Sequence, residues 1–334
     1  MTRVKVGERW VGDGEPTLII GEAGSNHDGS LDQAKALIDA AADSGIDVVK
    51  FQVFEAEQLL TRDHPAFAVI KANELPRAWL EPLVDHARRR GVIFAASPFD
   101  ADAVDRLHKL DVPLYKWASP EIHDIPLLQQ AARTGKALII STGMSGLTDV
   151  QIAVETAREQ GNDAIILLHC VSLYPTPAEH ANLRMMDGLR HAFGLPVGFS
   201  DHTMSTMVPV AAVARGACVI EKHFTLSRTL KGPDHPFALE PAELAAMVRG
   251  IREVEVALGA SVKQPLYGVE RTDLNYKGLV AAVRIPKGTP IAWEMLRVKR
   301  APPHGIKPVW LPQIVGRRAA RDLQPDEPIT WDVV

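Results

Sequence analysis

Two histidines stand 21 residues apart, each near the polar end of an apolar run: His202 in VGFSDHT and His223 in VIEKHFT. If the runs are neighbouring parallel strands, their ends lie about 4.8 Å apart, and two imidazoles there could share one ion. Two unrelated histidines, in the core or in catalysis, fit the spacing as well. Two imidazoles with a carboxylate and open positions suit Mn, Fe or Zn, and Glu22 in LIIGEAG is a carboxylate that closure of a barrel would bring alongside. Lys50, Lys116 and Lys222 sit late in similar apolar runs, where an ammonium is costly to bury unless it is paired or faces a polar cavity. With serines around them (Ser97, Ser119, Ser141, Ser172, Ser200), three lysines make a site for a small multiply charged anion, such as a phosphate carrying a carboxylate.

The elements that must position these groups recur through the first ~225 residues as a short β-branched run, polar residues, then a helical stretch. The runs are 17–24, 48–54, 92–99, 113–120, 137–143, 164–170, 196–202 and 218–224, with amphipathic segments such as 31–45, 149–161 and 241–259 between or after them. Eight strands each followed by a helix predict a (β/α)8 barrel, and uniformly apolar strands fit a parallel sheet covered by helices. A doubly wound open sheet is the competing fold; the count of eight and the polar residues at every strand end favour the barrel. Its active site belongs at the C-terminal strand ends. Those ends also carry Asn26, His27, Gln52, Asp100, Glu121, Thr142, His169, Tyr174, Asp201 and Glu221. The repeat stops at Gly259: residues 260–276 read as a linker, and 277–334, with short runs between Pro/Gly turns, as a small, mostly β module. A module of about 60 residues buries little surface of its own, so it is expected to dock on its own barrel or on a partner's.

Composition narrows the function classes. The 334 residues are 46% hydrophobic and 23% charged, with a formal net charge of -4, which gives no reason to expect nucleic acid or a membrane surface as partner. Arg88-Arg89-Arg90, the densest basic run, reads as a solvated helix end. Two cysteines, Cys170 and Cys218, make no disulfide framework and are expected as buried small hydrophobes. No run approaches the ~20 residues of a membrane span, and the N-terminus lacks a signal-peptide core, so a reduced cytoplasm is the expected location. GSNHDG (24–29) has the spacing of neither common nucleotide loop. Met144, Met185, Met186, Met204 and Met207 are expected to pack rather than to function.

The motifs IIGEAGSNHDG, VVKFQ, SPFD, YKWASPEI, ISTGM, LHCVSLYPTP, VGFSDHT, EKHFTL and GPDH together resemble the sialic acid synthases, the family of N-acetylneuraminate, legionaminate and pseudaminate synthases. The resemblance covers essentially the whole chain and makes residues 277–334 similar to the antifreeze-like (SAF) domain that ends those enzymes. It implies a transferase that condenses phosphoenolpyruvate with an open-chain N-acetylated amino sugar, giving a nine-carbon 2-keto-3-deoxy sugar acid and phosphate by C–O cleavage. By motif it implies His202 and His223 as ligands of a divalent ion, Mn2+ or Mg2+. Glu22 would be the general acid/base. Lys50, Ser97, Lys116, Ser119, Ser141, Ser172 and Ser200 would hold phosphoenolpyruvate, and Gln52, Glu121, Tyr174 and Asp234 would face the sugar. Arg300 would reach into a partner's barrel in a domain-swapped homodimer.

Three positions depart from the family pattern. Ser172 replaces an asparagine, Ser119-Pro120-Glu121 replaces SGE, and RAPPHGI is one residue longer than RPGNGI. The sugar is therefore left open between the sialic, legionaminic and pseudaminic branches. Two other readings compete. One is a related phosphoenolpyruvate-condensing barrel for a different aldose, such as the makers of 3-deoxy-octulosonate phosphate, which need no antifreeze-like module. The other is a catalytically silent sugar-binding barrel, which would be expected to have lost some of the lysines, the histidines or Glu22.

Overall fold

A parallel strand covered on both faces must be apolar on both, with its inward residues stacked in layers down the barrel axis. The computed structural model describes residues 2–264, 266, 269–270, 275–300 and 305–334. The chain divides into two compact units, Met1–Gly259 and Ala260–Val334. The first opens with an antiparallel hairpin, β1 (Arg3–Val6) and β2 (Arg9–Gly12), which the sequence pattern did not signal. The eight runs then form β3 (Leu18–Gly24), β4 (Val48–Val53), β5 (Ile93–Pro98), β6 (Leu114–Trp117), β7 (Ala137–Ser141), β8 (Ile165–Cys170), β9 (Val197–Asp201) and β10 (Val219–His223). They are all parallel and close in the order β10-β3-β4-β5-β6-β7-β8-β9. The closing pair sets His223 opposite Glu22.

Alternation sorts each strand into two faces. Leu18 and Ile20 of β3, Val48, Ala95, Leu114, Ile139, Leu168 and Val219 form one buried cluster together with Val4, Val6 and Val11 of the hairpin. This is the lower half of the barrel interior, and the hairpin plugs it. The intervening residues, among them Ile19, Val49, Phe51, Phe94 and Ile220, pack against the helices in a second, larger cluster. Three of the described helices start on an N-cap side chain: Ser30 accepts from the Gln33 N–H ahead of Leu31–Asp43, Asp100 from the Ala103 N–H ahead of Ala101–Lys109, and Asp124 from the Leu127 N–H ahead of Ile125–Arg133. Each cap satisfies an N–H that the first turn leaves orphaned. Among the described residues no helix is long and apolar enough to cross a membrane.

In the second unit, β11 (Lys277–Ala281) pairs antiparallel with β12 (Leu296–Arg300) over a core that includes Leu279, Ile285, Ile291, Ile314, Leu323, Ile329 and Val333. The module therefore has a core of its own, which the sequence reading underrated. It still leaves Trp293, Trp310 and Trp331 about half exposed. Part of the expected linker 260–276 and residues 301–304 of RAPPHGI lie outside the described residues.

Candidate active site

Above the apolar layers, the next inward residue of nearly every strand is polar. Glu22, Lys50 and Gln52, Ser97, Lys116, Ser141, Ser200, and Glu221 with His223 come from β3, β4, β5, β6, β7, β9 and β10, respectively; β8 supplies Cys170. Together with Ser119, Pro120, Met144, Ser172, Tyr174 and His202 from the loops that follow, they line one cavity of about 270 Å³ at the C-terminal strand ends. Lys50 Nζ lies 2.9 Å from Glu22 Oε2 and 3.7 Å from Glu221 Oε2, and it donates to Ser97 Oγ at 3.1 Å. Gln52 Nε2 donates to the other Glu22 oxygen at 2.8 Å. Lys116 Nζ lies 3.5 Å from Glu221 Oε1, which also accepts from Ser200 Oγ at 2.8 Å. All four charged groups are at most 4% exposed.

Burial opposes charge on both lysines, but the balance differs. For Lys50 the two carboxylates outweigh desolvation and raise its pKa, whereas for Lys116 desolvation prevails over the attraction of Glu221 and lowers it. The Ser141 hydroxyl has no hydrogen-bond partner among the described residues, so it is available to a ligand. A Cβ on Gly143 would come within 2.5 Å of Ser172 Oγ and 2.8 Å of Ser119 Oγ. Glycine there keeps those two hydroxyls at the cavity wall, and its own N–H donates to Ser119 Oγ at 3.0 Å.

The two imidazoles face each other with ring centroids 5.4 Å apart, and Tyr174 lies over His202 at 4.1 Å. Burial, then mutual repulsion, holds His202 at about 4; burial, then the charge of Lys50, holds His223 at about 3. Both rings are therefore neutral at pH 7, as a metal ligand must be. His202 Nδ1 donates to Val171 O at 2.8 Å, which leaves the Nε2 lone pair for a ligand. His223 Nδ1 is buried without a hydrogen-bond partner among the described residues. These features fit a divalent ion on the two rings. Glu22 does not complete a triad of two imidazoles and a carboxylate, because its carboxylate is taken by Lys50 and Gln52. Among the described residues no cluster of three or more His, Cys, Asp or Glu side chains could hold a metal ion; substrate and water would have to supply the other positions.

Asp234 follows β10 in the loop and comes within 3.8 Å of His223 Nδ1. Burial, and then the Glu22 charge, pushes its carboxyl up to about 6. Gly24 makes that approach possible: its φ is +54°, and a Cβ there would meet Asp234 Oδ2 at 2.5 Å. His235 anchors the same loop, bonding Thr225 Oγ1 at 2.6 Å and Asp28 Oδ1 at 3.0 Å.

Other sequence candidates lie elsewhere. Lys222 points to the opposite face of β10 from Glu221 and His223, where its ammonium donates to Asp201 Oδ2 at 2.6 Å; it forms a buried ion pair and does not line the cavity, contrary to its expected place with Lys50 and Lys116. Asn26 donates to Phe224 O, Asp100 caps its helix and pairs with Arg77, and Thr142 donates to Leu168 O. His169 donates to Ala181 O, and His27 packs edge-on to Trp79. Glu121 lies beside the cavity-lining Pro120 but does not itself line the cavity; burial, then Asp124, raises its pKa. Arg300 is exposed in the second unit. Of the methionines named from the sequence, Met186 alone is fully buried; Met144, Met185, Met204 and Met207 are 71%, 43%, 44% and 69% exposed, contrary to the expected packing role. Glu221 was given no role from sequence. Its signal was there: it lies two residues before His223 on one strand and so must face the same way. The structural role of Lys222 gives a clean expectation. Lys222→Ala strands a buried Asp201 carboxylate and should cost about 3–5 kcal/mol of stability, read as a lower urea midpoint, with the anion affinity of the cavity unchanged.

Comparison with known proteins places the chain among relatives. The NeuB family model matches residues 37–263, and the SAF domain model matches residues 276–334. The spore coat polysaccharide biosynthesis protein SpsE of Bacillus subtilis is 38% identical over 99% of this chain and 97% of its own. The N,N'-diacetyllegionaminic acid synthase of Campylobacter jejuni is 38% identical over 93% of this chain and 98% of its own. The solved structure of N-acetylneuraminic acid synthetase from Leptospira borgpetersenii, in complex with citrate, matches with a TM-score of 0.76 at 34% identity, covering 79% of this chain and 93% of that one.

Proposed function

Because the chain belongs to the NeuB family of sialic-acid-type synthases and ends in a SAF domain, we propose that it condenses phosphoenolpyruvate with an open-chain N-acetylated amino sugar, N-acetylmannosamine or a relative. The product is a nine-carbon 2-keto-3-deoxy sugar acid. The observation that carries this reading is the joining, in one buried cavity, of a lysine pair ringed by serines with two neutral imidazoles. Lys50 and Lys116 bind the anionic groups of phosphoenolpyruvate, with Ser97, Ser119, Ser141, Ser172 and Ser200 as hydroxyl donors. Gln52, Tyr174, Asp234 and Glu121 belong to the sugar side.

In the reaction, carbon 3 of the enolpyruvate forms a bond to the aldehyde carbon, and the aldehyde oxygen ends as a hydroxyl. Water adds at carbon 2, giving its proton to Glu22, which Lys50 and Gln52 hold in place. The bond between carbon 2 and the phosphate-bearing oxygen then breaks, its electrons leaving with phosphate, which takes the proton of the carbon-2 hydroxyl as the ketone forms, while the proton taken by Glu22 ends on the aldehyde oxygen. His202 and His223 would hold a divalent ion, Mn2+ or Mg2+, which when bound supplies Lewis-acid polarisation of the aldehyde.

Charge supports the assembly. Lys50 and Lys116 are already offset by Glu22 and Glu221, while phosphoenolpyruvate brings about three negative charges near pH 7. A divalent cation and one arginine would balance them, in keeping with Arg300 entering from the second copy of a homodimer.

The reading is tested by incubating the enzyme with phosphoenolpyruvate, Mn2+ and a panel of N-acetylated amino sugars and phosphorylated aldoses, scoring phosphate. Release with an amino sugar is expected. Release only with a phosphorylated aldose, or with nothing, would overturn it. Lys50→Ala and Lys116→Ala should each weaken phosphoenolpyruvate binding by about 2–5 kcal/mol, seen as a raised KM; an unchanged KM in both would remove the lysines from the site.

A further inference from the structure

Of the two carboxylates that line the cavity, Glu22 has work in the proposed reaction and Glu221 has none. Glu221 is 4% exposed and sits between the lysines: Oε1 lies 3.5 Å from Lys116, and Oε2 lies 3.7 Å from Lys50. Only Oε1 is hydrogen-bonded, by Ser200; Oε2 has no hydrogen-bond partner among the described residues. A carboxylate kept for structure alone would be expected to have both oxygens satisfied. This one leaves a lone pair turned to an ammonium just beyond hydrogen-bond reach, inside a pocket.

We propose that Glu221 is an internal competitor for the anion: it occupies the lysine pair when no substrate is bound and repels bound phosphate, so that the product leaves. The physical argument starts from the empty pocket. Lys50 has Glu22 at 2.9 Å, but among the described residues Lys116 has no ion-pair partner other than Glu221 at 3.5 Å. A buried ammonium without a counter-charge would be costly, and Glu221 supplies that charge from within while also lying 3.7 Å from Lys50. When phosphate comes to the lysines, Glu221 cannot retreat, because β10 is paired on both sides and Ser200 holds its side chain. A fixed like charge in a low-dielectric site then weakens the bound state. Binding that is equally tight for substrate, transition state and product lowers KM without raising kcat, and product release limits many enzymes. Glu221 acts on the anion through electrostatics and on the lysines through position.

The inference rests on the anion-site reading above, and its test separates the two. Inorganic phosphate is titrated calorimetrically into the full-length wild type, Glu221→Gln and Glu221→Asp at equal salt and pH. Glutamine keeps the shape and the Ser200 contact but removes the charge, and should bind phosphate at least about tenfold more tightly. Aspartate withdraws the charge by one methylene and should fall between the two. Glu221→Gln should also lower kcat and the KM for phosphoenolpyruvate together, and phosphate should raise its melting temperature more than it raises that of wild type. Were the carboxylate merely structural, Glu221→Gln would loosen the lysines it positions and bind phosphate less tightly than wild type. If glutamine does not fold, aspartate carries the test by itself. Wild type that binds phosphate, with variants that bind it no more tightly, overturns this proposal alone. Wild type that binds no phosphate removes the anion site and this proposal with it.

Discussion

His202→Ala and His223→Ala should each lower phosphate release by about a thousandfold or more while leaving the far-ultraviolet circular dichroism unchanged. The magnitude follows from the Lewis-acid role: polarisation of the aldehyde is worth several kcal/mol of transition-state stabilisation, and each 1.36 kcal/mol is about tenfold in rate. Both rings are neutral, both sit at the cavity wall, and His223 Nδ1 is a buried atom with no hydrogen-bond partner among the described residues. Removing either ring should abolish tight binding of one Mn2+ per chain, measurable as free Mn2+ by electron paramagnetic resonance without any turnover. Exhaustive chelation of the wild type should silence it, with Mn2+ or Mg2+ restoring activity. A chelated enzyme at full rate, or alanine variants that still bind the ion stoichiometrically, would show that the two imidazoles do something else.

The second large effect is complementation between subunits. Arg300→Ala and His202→Ala should each be nearly inactive alone, yet recover activity when mixed under conditions that exchange subunits. In a two-fold dimer whose sites are completed in trans, the mixed species has one barrel with both histidines, capped by an intact arginine from the other chain. Random exchange makes half the dimers mixed, each with one complete site of two, so roughly a quarter of the wild-type activity per chain should return. The charge distribution is consistent with such docking: residues 277–334 hold ten Lys/Arg against five Asp/Glu, in a chain with 37 and 41 overall. The basic module is thus complementary in charge to an acidic remainder. Exchange demonstrated by mass spectrometry with no return of activity would put Arg300 in cis or outside the reaction.

Much of this protein was legible before folding. The eight apolar runs became the eight strands, because a parallel strand buried on both faces cannot hide its composition. Many of the polar residues at the strand ends line one cavity, because polar groups in such runs have few other places to go. Alternation within a strand, also local, would have separated inward Glu221 and His223 from outward Lys222 had it been applied residue by residue. The three lysines share a residue type, but the period of two turns Lys222 away from the cavity that Lys50 and Lys116 line. The methionines differ in the reverse sense: residue type suggests packing, but Met144 and Met204 follow strand ends into exposed loops, and Met207 opens the helix Met207–Ala214 with its side chain exposed.

Other features exist only in the folded chain. That Lys50 is shared by Glu22 and Glu221 depends on closure, since β10 and β3 are neighbours across nearly the full length of the barrel sequence. The hairpin's plugging of the lower interior, the approach of Asp234 to His223 across Gly24, and the turning of Glu22 from the imidazoles to Lys50 are likewise contacts between distant segments. Composition and periodicity report which face of an element is buried. They carry no information about which distant side chain meets it there, because that is set by the geometry of closure and by the paths of loops, which have no period to read.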